Sequence, residues 1–322
     1  MRAIRRIAYL ALLLGFAQVV FGAIVRITGS GMGCGDHWPD CYGSFTPAQN
    51  APTLLVEISH RYGAAALSIA IVALLAAAWM KRKEVGVGGR AGVLRPAMLA
   101  FLLVLVAAAF GAITVKLELN AFVVVTHLAI AMSLLAVLVV VVVRAGGFGS
   151  RSVPARYQRT FQSGRAAVAL TFLALVFGAL TANTPGAPSA CQGFPWCREI
   201  SMHGAPLVIH IIHRVIAVLL LGHLIGVVAG VRKRGETRAV RIAATAALGV
   251  VVTQIIVAAA MVELHLPAGL RSLHQALGTT LWITVVALAA LATGTAGLTE
   301  IERIVYESPS RGKFATPEGV ST

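Results

Sequence analysis

Charged side chains are scarce in this chain, and their scarcity excludes most soluble folds. Only 12% of the 322 residues are charged, whereas 58% are hydrophobic and the mean hydropathy is +0.84. A soluble domain of this length needs more polar residues to cover its surface. Apolar runs of about 20 residues are typical of membrane-spanning helices. Eight such runs occur, at 7–26, 54–80, 94–115, 121–143, 164–183, 206–231, 239–262 and 270–295.

The first apolar run lacks the cleavage site of a secretory signal peptide. It follows Arg2, Arg5 and Arg6, as the apolar segment of a signal peptide would. No small-residue cleavage pattern precedes the Gly-rich segment that comes next. We therefore predict a helix that is retained in the protein.

The net charge of +15 does not indicate a nucleic-acid partner, because the basic residues are unevenly distributed. With the N-terminus in the cytoplasm, 21 of the 27 Lys and Arg residues fall on the cytoplasmic side of the predicted spans. This positive-inside bias predicts a multi-pass protein of the bacterial cell membrane with both termini in the cytoplasm. The six exceptions are Arg26, Arg61, Lys116, Arg198, Arg214 and Arg271.

The two halves of the chain share one pattern. Residues 20–23 have the same sequence as residues 176–179, and a Gly/Pro-rich loop with two cysteines follows each segment. A His-Arg pair comes after each loop, and each half contains four spans, so both halves have one orientation. We predict an all-α integral membrane protein whose eight helices form two tandem, pseudo-symmetric four-helix bundles. The predicted units are 1–143 and 164–296, joined by a cytoplasmic linker, 144–163, and followed by a polar cytoplasmic tail, 297–322.

The four cysteines lie in two loops on the predicted outer face. Six residues separate Cys34 from Cys41, and five separate Cys191 from Cys197, so neither pair has the C-x-x-C spacing of a zinc knuckle. The outer face of a bacterial membrane is an oxidising compartment, which favours one disulfide in each loop. Redox-active thiols and metal ligation are the alternatives.

Four histidines lie near the outer ends of predicted helices at matching depths in the two halves: His60, His127, His213 and His274. A histidine inside a membrane is costly and usually functional. Two facing imidazoles in a four-helix unit meet the requirement for axial ligation of a haem iron. The alternatives are hydrogen bonding between helices, proton relay and binding of another transition metal.

A single carboxylate distinguishes the first half. Glu57 precedes His60 by three residues, and His210 precedes His213 by the same spacing. Residues three apart share a helix face, so Glu57 could reach the edge of a haem bound at His60 and transfer protons there. The alternative is an ion pair with Arg61. This difference between Glu57 in the first half and His210 in the second half predicts one reacting haem and one haem that relays electrons.

Cations near these histidines could pair with haem propionates, which require positively charged partners. Arg61 and Arg214 directly follow the candidate ligands, and Arg26 and Lys116 mark the outer ends of two other helices. The alternative for Arg26 and Lys116 is snorkelling to the membrane interface.

This combination of motifs resembles the haem A synthase family over residues 1–296. The resemblance rests on Glu57-x-x-His60-Arg61, His127, His213-Arg214, His274 and the two cysteine pairs. It implies oxidation of the C8 methyl of haem O to a formyl group by successive hydroxylations, giving haem A for cytochrome oxidase. It also implies that His60 and His127 ligate the substrate haem, that His213 and His274 ligate a haem b cofactor, and that Glu57 is catalytic. The implied partners are haem O, membrane lipid, a haem O synthase and an electron donor. The formation of a homo-oligomer is left open.

The main alternative function is a non-enzymatic, di-haem b-type membrane electron carrier. Such carriers commonly place one haem in each leaflet, whereas all four histidines here lie near one face. A thiol oxidoreductase would leave the four histidines unexplained. A transporter built from parallel repeats would need discontinuous helices and a midplane site.

Overall fold

A computed structural model describes residues 1–44, 51–150 and 158–293. Eight helices in these ranges are long and apolar enough to cross a membrane, which confirms the predicted all-α, multi-pass membrane protein. The helices are α1 (Arg2–Ile27), α2 (Pro52–Met80), α3 (Leu94–Lys116), α4 (Ala121–Arg144), α5 (Gln158–Asn183), α6 (Ala205–Lys233), α7 (Arg238–Glu263) and α8 (Ala268–Ala292). The predicted tail 297–322 and residues 151–157 of the predicted linker lie outside the described residues.

Proline fixes the start of the two helices that follow the cysteine loops. Pro52 opens α2, and Pro206 lies in the first turn of α6. Proline suits this position because the first amide groups of a helix have no partner within the helix. At α4, the Asn120 side chain accepts a hydrogen bond from the amide of Phe122 at 3.0 Å and caps the helix.

The short outer turns between α3 and α4 and between α7 and α8 have the same backbone conformation. Glu118 and Leu119 have φ values of 49° and 61°, and His265 and Leu266 have values of 58° and 63°. Two consecutive non-glycine residues with positive φ are uncommon. This shared turn supports the internal repeat that the sequence predicts.

The helices of each half contact one another in a ring. α1 packs against α2 and α4, α3 packs against α2 and α4, and α5 to α8 repeat these contacts. The halves meet where α8 contacts α1 and α4 and where α4 contacts α5. Trp282 of α8 donates a hydrogen bond to the main-chain oxygen of Met132 of α4 at 2.8 Å. The division into two pseudo-symmetric units stays a prediction, and these contacts support it.

The hydrophobic core lies on the side opposite to the cysteine loops. Its fully buried members come from both halves and include Leu74, Leu138, Leu224 and Leu288. The four candidate histidines lie outside this core and are half-buried. Packing therefore fixes the helices at one end and leaves the histidines at the other end in less densely packed surroundings.

Candidate functional site

The second-half histidines face each other across α6 and α8. The ring centres of His213 and His274 are 6.5 Å apart, with the ring planes at 75°. Two imidazoles that share one metal ion at metal–nitrogen distances of about 2 Å have ring centres about 6 Å apart. The spacing of this pair therefore fits bis-histidine ligation of a haem iron.

The main chain of α5 orients His213. Its Nδ1 lies 2.9 Å from the main-chain oxygen of Ala174. A carbonyl oxygen only accepts hydrogen bonds, so Nδ1 carries the proton and Nε2 keeps a free lone pair. Metal-ligating histidines commonly have such a second hydrogen bond. His213 is thus pre-oriented as a ligand.

Glycines of α1 and α5 leave room for the first histidine of each pair. A Cβ atom at Gly178 would lie 2.9 Å from His213 Cε1, and one at Gly22 would lie 3.1 Å from His60 Cε1. Both glycines belong to the repeated segments at 20–23 and 176–179. Each half therefore uses the same close approach to position its histidine.

The first-half histidines come from α2 and α4. Gly111 of α3 faces the ring of His127, with 3.6 Å between a built Cβ and Cε1. His127 Nδ1 is buried and has no hydrogen-bond partner among the described residues, as is also the case for His274 Nδ1. The rings of His127 and His274 therefore lack the Nδ1 hydrogen bond that orients His213.

Two glutamines that the sequence analysis did not single out contact these histidines. Gln18 Nε2 lies 3.0 Å from Nδ1 and 3.3 Å from Nε2 of His60, and donates to the main-chain oxygen of His60 at 2.9 Å. Gln254 Nε2 lies 3.2 Å from His274 Nε2. An amide in an otherwise apolar helix segment is the signal that could have identified both residues.

Glu57 is buried, with 4% of its surface exposed, and both carboxylate oxygens have partners. Oε1 accepts a hydrogen bond from Arg61 Nη2 at 2.5 Å, and Oε2 accepts one from the main-chain amide of Cys34 at 2.8 Å. The ion pair considered as the alternative in the sequence analysis is therefore present. The second bond also attaches the carboxylate to the first cysteine loop.

His210, the counterpart of Glu57, also bonds to the neighbouring cysteine loop. Its Nδ1 donates to the main-chain oxygen of Ala187 at 2.8 Å, and the side chain is buried. Glu57 accepts from its loop, whereas His210 donates to its loop. The two halves thus keep one contact while exchanging an anionic group for an imidazole.

Arg61 and Arg214 hold the cysteine loops to α2 and α6. Arg61 donates to the main-chain oxygens of His37 and Asp40 at 2.9 and 2.6 Å. Arg214 donates to those of Cys191 and Gly193 at 2.8 and 2.9 Å. These bonds give both guanidinium groups a structural role that the sequence analysis missed. Their pairing with haem propionates stays a prediction.

Each cysteine loop is closed by the predicted disulfide. Cys34 bonds to Cys41 and Cys191 bonds to Cys197, with S–S distances of 2.09 and 1.99 Å. The second loop also contains a short antiparallel pair of strands, β1 (Cys191–Gln192) and β2 (Glu199–Ile200).

Ion pairs of opposite polarity join the loops to α3 and α7. Lys116 at the end of α3 pairs with Asp36 at 3.7 Å, and Glu263 at the end of α7 pairs with Arg198. The fourth predicted propionate partner, Arg26, donates to the main-chain oxygen of Ala182 at 3.2 Å. Lys116 and Arg26 thus have protein partners at the end of the helices that carries the cysteine loops.

Another histidine within a membrane helix, His223 of α6, lies apart from the four candidate ligands. His223 Nε2 lies 2.8 Å from the main-chain oxygen of Ser163, near the N-terminal end of α5. In the described ranges, no group of three or more His, Cys, Asp or Glu residues is arranged to hold a metal ion. The donor sets at the two sites are therefore histidine pairs, which suit an iron already held by a porphyrin.

These features define a multi-pass, α-helical membrane protein in which each half combines a disulfide-closed loop with two candidate ligand histidines. The chain matches the COX15-CtaA family, described as cytochrome oxidase assembly protein, over residues 5–286. It belongs to this family, which confirms the resemblance drawn from the sequence.

Curated relatives carry a more specific name. Proteins named haem A synthase from Exiguobacterium sibiricum, Alkalihalophilus pseudofirmus and Halalkalibacterium halodurans are 29%, 30% and 31% identical to this chain. The matches cover 63%, 62% and 62% of this chain and 66%, 67% and 66% of the relatives. A protein of the same name from Lysinibacillus sphaericus is 47% identical over 19% of this chain and 20% of its own length. The matches to the proteins from Exiguobacterium sibiricum and Lysinibacillus sphaericus thus span less than two thirds of the length of those proteins.

Proposed function

We propose that this protein is a haem A synthase that oxidises the C8 methyl group of haem O to a formyl group by successive hydroxylations. Family membership and the names of the relatives support this assignment. The observation that carries it is the asymmetry between two similar sites. Both have a histidine pair, but only the first has a buried carboxylate, Glu57, one helical turn from a candidate ligand. An electron carrier that only passes electrons would not need a buried carboxylate at one of its two sites.

The first half binds the substrate in this proposal. His60 and His127 would ligate the iron of haem O, and Gly22 provides the close helix approach that admits the His60 ring. The second half holds a haem b cofactor through His213 and His274, whose spacing fits the shared ligation of one iron. Bound haem supplies one-electron and oxygen chemistry that amino-acid side chains lack.

Glu57 acts as the proton acceptor for the substrate methyl group. With water as the source of oxygen, each hydroxylation of the carbon would release two protons, which Glu57 would accept in turn, and two electrons, for which bound haem would supply the one-electron chemistry. The gem-diol would then lose water to give the aldehyde. The Arg61 guanidinium and the Cys34 amide hold the carboxylate in one orientation, so it can receive those protons at a fixed position. Movement of either partner would change that position.

The orientation in the membrane follows from charge and from the cysteines. We place both termini in the cytoplasm of a bacterial cell, because 21 of the 27 basic residues then lie on the cytoplasmic side. The two disulfides then face the oxidising compartment. A haem O synthase that releases its product into the membrane is the expected supplier of substrate, because a farnesylated haem partitions into lipid.

The test is mass spectrometry of haems extracted from the protein after purification from cells that make haem O. Haem B together with haem O, haem A or an alcohol intermediate would support the proposal. Haem B alone, at two per chain, would overturn it and favour the electron carrier.

The variant Glu57→Gln separates the same two functions. We expect it to accumulate haem O or the alcohol, because an amide cannot accept the proton that a carboxylate accepts. Glu84→Gln is the matched control, since Glu84 is an exposed cytoplasmic carboxylate paired with Lys81. Full haem A production by Glu57→Gln would contradict the catalytic role of this carboxylate.

A further inference from the structure

An arginine lies one helical turn from His274, the candidate ligand on α8. Arg271 precedes His274 by three residues, so both side chains lie on the same face of the helix. The start of α8 lies at the end of the bundle that carries the cysteine loops, because α7 ends there at Glu263, which pairs with Arg198 of the second loop. Side chains lean towards the N-terminus of their helix, so the Arg271 guanidinium is displaced from His274 towards that end.

The charge of Arg271 is not balanced by the protein. Its side chain is half-buried, and within the part of the chain that the structure describes no carboxylate or carbonyl oxygen pairs with its guanidinium. α8 also begins without an acidic residue in its first turn and without a side-chain cap. The N-terminal end of a helix carries a partial positive charge, which makes a nearby cation less stable. A half-buried arginine at this position therefore favours a bound anion.

The other arginine near this histidine pair is already engaged. Arg214 follows His213 directly, but its guanidinium donates to the main-chain oxygens of Cys191 and Gly193. These bonds hold the Arg214 guanidinium against the second cysteine loop. Arg271 is therefore the cation on these two helices that is left to contact a ligand at the second site.

The first half has no cation at the equivalent position. Val124 precedes His127 by three residues, as Arg271 precedes His274. The first half instead has a buried carboxylate, Glu57, close to its candidate ligands. The second site is thus more positive than the first, so the arginine serves a group that the second site holds.

We propose that Arg271 is a binding residue of the second haem site, where its guanidinium pairs with a carboxylate of the haem ligated by His213 and His274. This assignment rests on the haem ligation in the proposed function and not on the oxidation of haem O. Haem has two carboxylate side chains on one edge of the porphyrin. On the other side of the histidines lies the hydrophobic core, which includes Leu224 and Leu288, and a carboxylate buried there would lack a partner. We therefore expect the carboxylate edge to face Arg271.

The same contact should raise the reduction potential of the second haem. Reduction adds one negative charge to the haem, and a nearby cation stabilises that charge. Arg271→Gln removes the cation and keeps a polar side chain, so it should lower the potential. A higher potential makes this haem a better acceptor for the electrons that oxidation of the substrate would release.

The test compares haemin with its dimethyl ester, in which both carboxylates are blocked. Each compound is titrated into the purified full-length protein in a His60→Ala background, so that the absorption of low-spin haem reports the second site. In Arg271→Gln, the affinity for haemin should fall about tenfold, or about 1.4 kcal/mol, because a charge-assisted hydrogen bond is lost. The affinity for the dimethyl ester should not change.

Two further variants separate the effect of charge from an effect on the fold. Arg271→Lys keeps the positive charge and should retain the reduction potential, measured by potentiometric titration of the haemin-loaded protein. Arg198→Gln removes another cation at the same end of the molecule, one that is exposed and paired with Glu263. It should change neither the affinity for haemin nor the potential.

Lower affinity for haemin with unchanged affinity for the ester, together with a lower potential that lysine restores, supports the proposal. Equal loss of affinity for both compounds would mean that Arg271 supports the fold, and this result overturns the proposal. Unchanged affinity for haemin also overturns it and leaves a phospholipid headgroup as the partner of a snorkelling arginine. Haem extraction decides the proposed function separately, because a protein that contains haem B alone would overturn the synthase and leave the dependence on Arg271 intact.

Discussion

The two glycines that face the histidine rings give a matched pair of substitutions. In Gly178→Ala, the new Cβ would lie 2.9 Å from Cε1 and 3.3 Å from Nδ1 of His213, so the ring must move. That movement stretches its 2.9 Å bond to Ala174. Overpacking of this kind costs about 1–3 kcal/mol. At 1.4 kcal/mol per factor of ten, we expect the affinity of the second site for haem to fall about tenfold.

The corresponding Gly22→Ala change should affect the first site, and by less. Its Cβ would lie 3.1 Å from His60 Cε1, a contact that a shift of a few tenths of an ångström relieves. The assay is titration of both variants with haemin, followed by the absorption of the low-spin haem. Gly226→Ala on α6 is the control, because a Cβ there meets nothing within 4 Å and alanine favours the helix. Retention of full haem affinity by Gly178→Ala would refute the close approach on which both sites rest.

Two other predictions concern the parts that frame the sites. Arg214→Gln should remove the hydrogen bonds to the main-chain oxygens of Cys191 and Gly193 and accelerate proteolysis of the second cysteine loop in detergent solution. The first cysteine loop is the internal control, and its cleavage should not change. Equal cleavage of both loops would contradict a local role of Arg214. Trp282→Phe should lower the midpoint temperature of thermal unfolding, because it removes the buried hydrogen bond to Met132 that joins α8 to α4. That bond is worth about 1 kcal/mol. An unchanged midpoint would show that the hydrogen bond does not contribute to stability.

Much of the fold follows directly from the sequence because lipid imposes simple rules. Apolar runs predict the eight helices, and the distribution of arginine and lysine predicts their orientation. The exact ends depend on local chemistry that hydropathy does not capture. α5 begins at Gln158 rather than at the predicted 164, because its polar first turns continue the helix beyond the apolar run.

The sites were predictable to the extent that they repeat. Because the halves share a frame, matching spacing and depth singled out the four histidines as candidate ligands and showed that Glu57 corresponds to His210. The hydrogen-bond partners of the side chains next to the candidate ligands could not be predicted from the sequence. Arg61 and Arg214 follow their histidines in sequence, yet their guanidinium groups reach loop carbonyls that lie more than fifteen residues away in the chain. Only the folded loop determines which carbonyls are within reach.

The repeat also shows where the two halves are free to differ. Glycines beside the rings, arginines on the loops and disulfides are kept in both halves, so they serve the shared frame. The differences concentrate at residues that touch a histidine or its loop: Glu57 against His210, and Gln18 against Ala174. Each exchanges a chemical group while the backbone stays in place. In the proposed function, these exchanges allow one scaffold to hold one haem as a fixed cofactor and to treat another as a substrate.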